Sequence, residues 1–478
     1  MAPKFTEVVV GENTPGDDDS KDQPIVLRRS GHLPFYFISG YLKKSLLKAL
    51  ESELSFVVQG HEYSEKYQTG EWDGKELLLY STKKTGIRYF PAGLLDKVRG
   101  ILDAFDEEYT VDYPPPTEPI KLKLSWKSHI TLYPDQQEAV DAAIGAGFGT
   151  ICMPTGTGKT VVAMAIMNVL KVKTVIVVHR KELVKQWAIA LRETLGYDPG
   201  IVGSGKETWK DITIVMVQSM QRKKSIPKEF DLLILDESHH TPARSAYQLA
   251  MKCNATFRYG LSATPTRTDG AELKMFAAVG EIIYKSKPES AIKKGRIVRP
   301  EFRFIETIHP RNVFQGMPFH EAYTLGITTN EDRNNKIVSQ ANMLLQEGHT
   351  VYIHVEEVAH GKWIAGHIPE AGFVCGEDKK KIRDKLIDDF SEGKTKILVS
   401  TLLGEGVNIP SITAIIMAGG KKSESGCIQK IGRALRTLPG KEKAIVVDFK
   451  DKGAYLYDHW QERYSAYKKF YGKYCQDL

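Results

Sequence analysis

Cysteine is scarce in this chain, and its placement carries no chemistry. Five occur among 478 residues, at Cys152, Cys253, Cys375, Cys427 and Cys475. None belongs to a Cys-x-x-Cys pair or stands at metal-ligand spacing from a histidine, which argues against a disulfide scaffold or a zinc site and for a reducing cytoplasm. Long apolar runs are lacking as well. The longest, from Ile397 to Gly420, is broken by Glu405, Pro410 and several glycines, so no membrane span is expected. The first residues, MAPKFTEVVVGENTPGDDDSKDQ, have neither the basic start nor the apolar stretch of a secretion signal and read as a disordered acidic leader over 1–24.

Charge of one sign is missing from the front of the chain. Residues 1–112 carry 14 Lys+Arg against 19 Asp+Glu, a net −5, whereas the remainder carries 52 against 40, a net +12. The basic body suits a polyanion such as nucleic acid, although a solvated surface explains it equally well. A chain of this length is expected to hold two to four cores. The clearest boundary is the extended linker Tyr113-Pro114-Pro115-Pro116-Thr117-Glu118-Pro119, closing a small α+β unit over 25–119 in which Trp72-Asp73-Gly74 reads as a turn and PAGLLDKVRGIL as a helix. Its negative charge argues against a strong phosphate-binding surface, and two roles stay open: a wedge or sensor, or a packing module.

Beyond the linker, β-rich apolar runs (TICM, TVIVV, ITIVMV, LLILDE, YGLSAT) alternate with amphipathic helical patterns, and a second series (TVYIHV, KILVST, TAIIMA, KAIVVDF) follows. Two tandem α/β domains with parallel sheets are expected, over 120–290 and 291–478. The stretch 284–335 reads as a hinge or small insertion. The C-terminal GAYLYDHWQERYSAYKKFYGKY reads as an aromatic helix whose rings pack on the second domain rather than stack on bases.

The run Met153-Pro154-Thr155-Gly156-Thr157-Gly158-Lys159-Thr160 follows a strand pattern and opens a helix pattern, as a phosphate cradle does. Backbone N–H groups of Thr155 to Gly158 would close on a polyphosphate, Lys159 would reach the β and γ phosphates, and the Thr160 hydroxyl would hold Mg²⁺. Met153 stands where the usual pattern has glycine. A second strand, Leu232 to Leu235, runs into Asp236 and Glu237, placing two carboxylates at the carboxyl edge of a parallel sheet. Asp236 suits the metal and Glu237 the attacking water. Gln429-Lys430-Ile431-Gly432-Arg433-Ala434-Leu435-Arg436 carries two arginines three residues apart, on one face if helical, and their planar guanidinium groups suit the charge on a transferring phosphoryl group.

In their order these elements resemble a superfamily 2 helicase from about Leu132 to Phe449. LYPDQQEAV resembles the adenine-reading Q element with Gln136 as reader, MPTGTGKT motif I, VVHRKELVKQW motif Ia and MVQSM motif Ib. DESH is similar to the DExH form of motif II and Ser262-Ala263-Thr264 to motif III. VYIHVEEVAHGKWIA resembles motif IV, VSTLLGEGVNIP motif V and QKIGRALR motif VI. The segment LSATPTRTDG resembles that of XPB-type and phage UvsW-type DNA helicases, with Arg267-Thr268-Asp269 where XPB-like proteins have Arg-Glu-Asp, and the first unit is similar to the small N-terminal domain of UvsW-like helicases.

The resemblance implies two RecA-like domains that sandwich ATP·Mg²⁺. It implies nucleotide contact by Gly406, backbone-phosphate contacts by Arg180, Gln218, Ser219 and Thr401, and coupling by Ser262, Thr264, Gln429 and the segment Gly404 to Asn408. Such contacts carry no base sequence, as a translocase on single-stranded, forked or branched DNA requires. It also implies a cytoplasmic protein, or one of the host cytoplasm if phage-encoded, in which one copy suffices. RNA as the tracked strand stays open, since only 2′-OH contacts separate the two. A nucleic-acid-stimulated ATPase or clamp without strand separation stays open as well; a non-enzymatic clamp is the rival of a different class, and it would be expected to have lost some of Lys159, Asp236, Glu237, Arg433 or Arg436. A restriction-type motor would need a nuclease set that the sequence does not display.

Overall fold

The structure is a computed structural model that describes residues 24–31, 33–113, 122–220, 226–264, 270–402, 409 and 411–475. The leader before Pro24, the linker prolines, Arg267-Thr268-Asp269, Gly404 to Asn408 and with them Gly406 lie outside the described residues. Two compact units are formed, one from Met1–Cys152 with Thr160–Lys285 and one from Met153–Lys159 with Ser286–Leu478.

The first unit holds two principal sheets. Five strands near the N-terminus lie in the order Tyr80–Ser81, Arg88–Pro91, Phe35–Ser39, Ile25–Arg29 and Tyr109–Asp112, antiparallel except for the last pair. The central strand FYFIS is apolar on both faces because both are covered. Tyr36 and Ile38 join the module's own helices Lys44–Glu53 and Leu95–Ala104, whereas Phe35 and Phe37, with Tyr89, enter the core of the larger sheet. Residues alternate across a strand, so one strand serves two cores. Each of these rings taken out of water contributes about 2 kcal/mol. Gly93 completes the junction, for a Cβ there would overlap Phe276 O and stand 2.7 Å from Gly280 N. The module is thus built into the wall of its neighbour.

The larger sheet has eight strands, in the order Lys206–Thr208, Gly200–Gly203, Ile212–Met216, Thr174–Val178, Leu232–Leu235, Phe257–Ser262, Phe148–Cys152 and Ile282–Lys285. All pairs but the first are parallel. The second unit repeats the design with six parallel strands, Arg299–Glu306, Lys443–Lys450, Ala414–Met417, Val351–His354, Ile397–Ser400 and Gly372–Val374. Tyr352, Leu398, Ile415 and Val446 face one apolar cluster and Ile353, Val399, Ile416 and Val447 the other, which explains why these strands read as unbroken apolar runs.

The stretch 284–335 carries the boundary between the two units, at Lys285 and Ser286, and the rest of it belongs to the second unit. Its strand Arg299–Glu306 pairs over eight residues with Lys443–Lys450, and Val313, Met317, Ala322, Tyr323 and Ile327 form a satellite core with Leu456. Pro300, Glu301 and Arg303 disguise the strand, and they are tolerated because it lies at the sheet edge. The C-terminal helix Leu456–Tyr471 turns Trp460, Tyr467 and Tyr471 into the core, with the Tyr467 ring 5.2 Å from that of Phe302.

That helix also brings in a buried ionic network that the sequence did not announce. Arg463 Nε donates to Asp448 Oδ2 at 2.9 Å, its Nη1 to Gly420 O at 2.8 Å and its Nη2 to Asp451 Oδ2 at 3.3 Å, while Arg333 Nε donates to Asp451 Oδ1 at 2.7 Å. Tyr467 OH donates to Asp448 Oδ2 at 2.7 Å. None of the four charged residues is more than 2% exposed. Removing one partner would strand a charge in the dry interior. Arg463→Ala is therefore expected to cost about 3–5 kcal/mol, read as a lowered urea midpoint of the second unit's transition in the full-length chain, whereas the exposed pair Lys422–Glu462 should be worth less than about 1 kcal/mol.

Candidate functional site

The loops of interest leave the carboxyl ends of parallel strands. Phe148–Cys152 delivers the chain into the glycine loop, and helix Lys159–Leu170 carries it away. Gly156 and Gly158 have φ of +88° and +90°, a conformation that side chains rarely adopt, so the loop can wrap with its N–H groups turned inward. Thr157 Oγ1 donates to Pro154 O at 2.8 Å and pins the wrap. Lys159 Nζ donates to Met153 O at 3.1 Å, so its ammonium lies over the loop's own backbone.

Leu232–Leu235 ends at Asp236, and Glu237 follows with φ +48°. The two carboxylates are held differently. Asp236 Oδ2 accepts from Trp187 Nε1 at 2.7 Å and its Oδ1 from the Glu237 N–H at 3.0 Å. Glu237 Oε2 stands 3.6 Å from His239 Nδ1, which is 3.2 Å from Ser262 Oγ, and that oxygen accepts from the Thr264 N–H at 3.1 Å. A chain of polar contacts thus runs from motif II to motif III through a histidine 4% exposed. The imidazoles continue it: His240 lies with ring centroids 4.3 Å from His239 and 4.4 Å from His179, whose carbonyl accepts from Gln218 Nε2 at 2.8 Å.

Arg180 is the N-cap of helix Lys181–Leu195, and Ser219 sits in the short helix Val217–Met220, so motifs Ia and Ib meet through His179 and Gln218. Gln136, 5% exposed, accepts through Oε1 from the Tyr133 N–H at 3.1 Å, which fixes the start of helix Pro134–Ala146.

In the second unit, helix Glu424–Ala434 starts at Ser423, whose Oγ accepts from the Gly426 N–H at 3.1 Å. Gln429 and Arg433, both less than 10% exposed, lie on it. Arg436 does not share their helical face. The helix stops at Ala434, and Arg436 forms an extended bridge with Ile297 while the Val298 N–H donates to Leu435 O at 2.8 Å. Leu435 is fully buried in the apolar cluster, and Arg436 beyond it is paired rather than helical. Burial, with Arg433 adding, pushes the Arg436 guanidinium down to about 10, still charged at neutral pH.

Lys430 anchors the same helix from its middle, with Nζ 2.7 Å from His354 Nε2 and donating to Glu356 Oε1 at 3.1 Å. Burial pushes His354 down to about 4, with Lys430 adding, and leaves the imidazole neutral at pH 7. Burial opposes ionisation of Glu356, but the His354 hydrogen bond and the Lys430 charge outweigh it and hold the carboxyl at about 2. Thr401 follows strand Ile397–Ser400 directly, and the neighbouring Leu402 N–H donates to Ser400 Oγ at 2.9 Å. Trp187, His239, Lys430 and Glu356 are participants that sequence reasoning did not single out. Trp187 shares a helical stripe with Leu183, Val184 and Leu191 and reads as core, so only its indole nitrogen betrays a second role.

Among the described residues no group of three or more His, Cys, Asp or Glu gathers as an all-protein metal cage. One carboxylate, Asp236, and one hydroxyl, Thr160, suit Mg²⁺, which keeps its waters and takes the rest of its shell from substrate phosphates. All five cysteines are free and buried, and no described helix is long and apolar enough to cross a membrane.

Residues 129–267 match the family described as Type III restriction enzyme, res subunit, and residues 335–437 match the helicase conserved C-terminal domain. Those spans hold the two halves of the motif set in order, and the chain is a superfamily 2 helicase. Its relatives within that superfamily are of the XPB and phage UvsW kinds. It is 29% identical over 370 residues, 68% of this chain and 83% of the relative, to DNA 3'-5' translocase XPB2 of Sulfurisphaera tokodaii. It is 23% identical over 448 residues, 86% of this chain and 88% of the relative, to ATP-dependent DNA helicase uvsW of Enterobacteria phage T4. Of two further relatives it spans 60% and 58% of the length. The fold is shared with the DNA-bound Type ISP restriction-modification enzyme LlaBIII, at TM-score 0.54 and 15% identity, over 71% of this chain and 30% of that one.

The indole bond to Asp236 can be tested alone. Trp187→Phe keeps the ring in the core and deletes the donor, and the Mg²⁺ concentration needed for half-maximal nucleotide binding is expected to rise about tenfold, with thermal unfolding little changed.

Proposed function

We propose that this protein is an ATP-driven DNA translocase and helicase that remodels or unwinds branched DNA in recombination, repair or replication. The observation that carries the reading is the unbroken line of contacts from Glu237 through His239 to Ser262 and Thr264, in a chain that also keeps Lys159, Asp236, Arg433 and Arg436. A clamp without turnover would have no use for it. DNA is favoured over RNA because the relatives at 29% and 23% identity are named as DNA motors.

In this reading the N–H groups of Thr155 to Gly158 cradle the triphosphate, and Lys159 leaves Met153 O for the β and γ phosphates. Thr160 and Asp236 would hold Mg²⁺, which would neutralise charge on the phosphates. Glu237 orients the attacking water and takes its proton. Arg433 and Arg436 stabilise the charge on the transferring phosphoryl group. Gln136 reads the adenine and Gly406 contacts the nucleotide. The change at Glu237 passes to Ser262 and Thr264, and with Gln429 alters the grip of Arg180, Gln218, Ser219 and Thr401 on backbone phosphates, which carries no base sequence. One copy supplies every element of this cycle. The protein acts in the cytoplasm, or in that of the host if phage-encoded.

ATP hydrolysis titrated with single-stranded, forked and four-way DNA and with RNA tests the proposal. Forked or four-way DNA is expected to stimulate most, and Lys159→Ala to lower the stimulated rate by about a hundredfold or more. Stimulation by RNA alone would overturn the DNA reading, and full activity of Lys159→Ala would overturn the site.

A further inference from the structure

Outside every helicase motif, the second unit holds a half-buried lysine at the end of the arginine segment. Leu438-Pro439-Gly440-Lys441 is a β-turn in which the Lys441 N–H donates to Leu438 O at 2.9 Å and Gly440 has φ +78°, the proline-glycine order of a type II turn. The turn reverses the chain before strand Lys443–Lys450 and brings Lys441 back to the segment it has just left. There Nζ donates to Ala434 O at 2.6 Å, to Ile412 O at 2.6 Å and to Arg436 O at 2.9 Å. Three protons meet three carbonyls. Ala434 is the last residue of the helix carrying Arg433, so the cation also sits at a helix C-terminus, where charge of that sign is favoured. Ile412 precedes strand Ala414–Met417 and belongs to the core, so it is a fixed anchor.

We propose that Lys441 is a positioning residue for ATP hydrolysis, its ammonium tying the carbonyls of Ala434 and Arg436 to that of Ile412 and so fixing where Arg433 and Arg436 present their guanidinium groups. The inference rests on the reading of those two arginines as the groups that stabilise the transferring phosphoryl.

The clamp has a built-in pH limit. A neutral amine has two protons for three carbonyls, so deprotonation frees one of them. Burial, with Arg436 adding, pushes Lys441 down to about 8. Arg436 is the charged group that faces it, Arg433 bears on Arg436 from the helix, and Ser411, Ile412 and Thr413 bring no charge. Glu442, its neighbour in sequence, is exposed. Because the folded pKa lies below the ordinary 10.5, the unfolded chain binds the extra proton between about 8 and 10.5, and in that window this group makes folding more favourable as pH rises. Hydrolysis runs the other way. A merely structural lysine would not separate the two.

The test is DNA-stimulated ATPase of the full-length chain from pH 6.5 to 9.5, with kcat and KM for ATP resolved, beside thermal unfolding at each pH. Wild-type kcat is expected to fall above pH 8 toward the level of Lys441→Met, which is at least about fivefold lower across the range with KM within about twofold, an effect confined to the transition state. Lys441→Arg, which stays charged, is expected to restore kcat and abolish the alkaline fall. A wild-type kcat in Lys441→Met, or an alkaline fall that persists in Lys441→Arg, overturns the proposal; should Lys441→Met fail to fold, wild type against Lys441→Arg decides it. Arg436→Ala with unchanged kcat would overturn the arginine reading instead, whatever Lys441 does.

Discussion

A parallel strand buried on both faces leaves its side chains no access to substrate, and the rest of this structure follows from that constraint. Tyr352 and Ile353, or Leu398 and Val399, alternate between two dry clusters, so chemistry is confined to the places where strands end. Cys152 ends before the glycine loop, Leu235 before Asp236, and Ser262 is itself the last residue of its strand. The same edge holds His179 and Gln218, which is why a few short contacts suffice to link the elements read as nucleotide-binding with those read as nucleic-acid-binding.

Loops at both ends of these strands need anchoring, and buried cations supply it repeatedly. Arg258 donates to the carbonyls of Ala250, Cys253 and Ala278, and burial pushes it down to about 10. Arg333 reaches Ala418 O, Arg463 reaches Gly420 O, and Lys441 gathers three carbonyls of its own. A guanidinium or ammonium with several fixed acceptors specifies one loop geometry where apolar packing would tolerate many. The desolvation it costs is offset by the definition it gives the loops at the strand ends.

Much of this was legible in the residues. The strand runs, their parallel arrangement and the glycine loop follow from apolar periodicity and from the spacing of Gly156, Gly158, Lys159 and Thr160. What escaped were features decided by tertiary pairing. Arg299–Glu306 hides its role behind Pro300 and two charges, tolerable only at an edge that the sequence does not mark. Arg436 looked helical beside Arg433, and its pairing with Ile297, far away in the chain, overrides the local pattern. Nothing in the sequence marked Trp187 or Lys441, because the Asp236 oxygen and the three carbonyls they meet come from other segments. The double burial of the FYFIS strand also escaped, since its second face belongs to the neighbouring sheet.

In the proposed cycle hydrolysis is converted into movement along DNA. This conversion is tested most directly by displacement of a third strand from a triplex placed on duplex or forked DNA, followed with ATP and with a non-hydrolysable analogue. ATP-dependent displacement by the wild-type chain is expected, as is its loss with the analogue and in Lys159→Ala. DNA-stimulated hydrolysis that displaces nothing would contradict it.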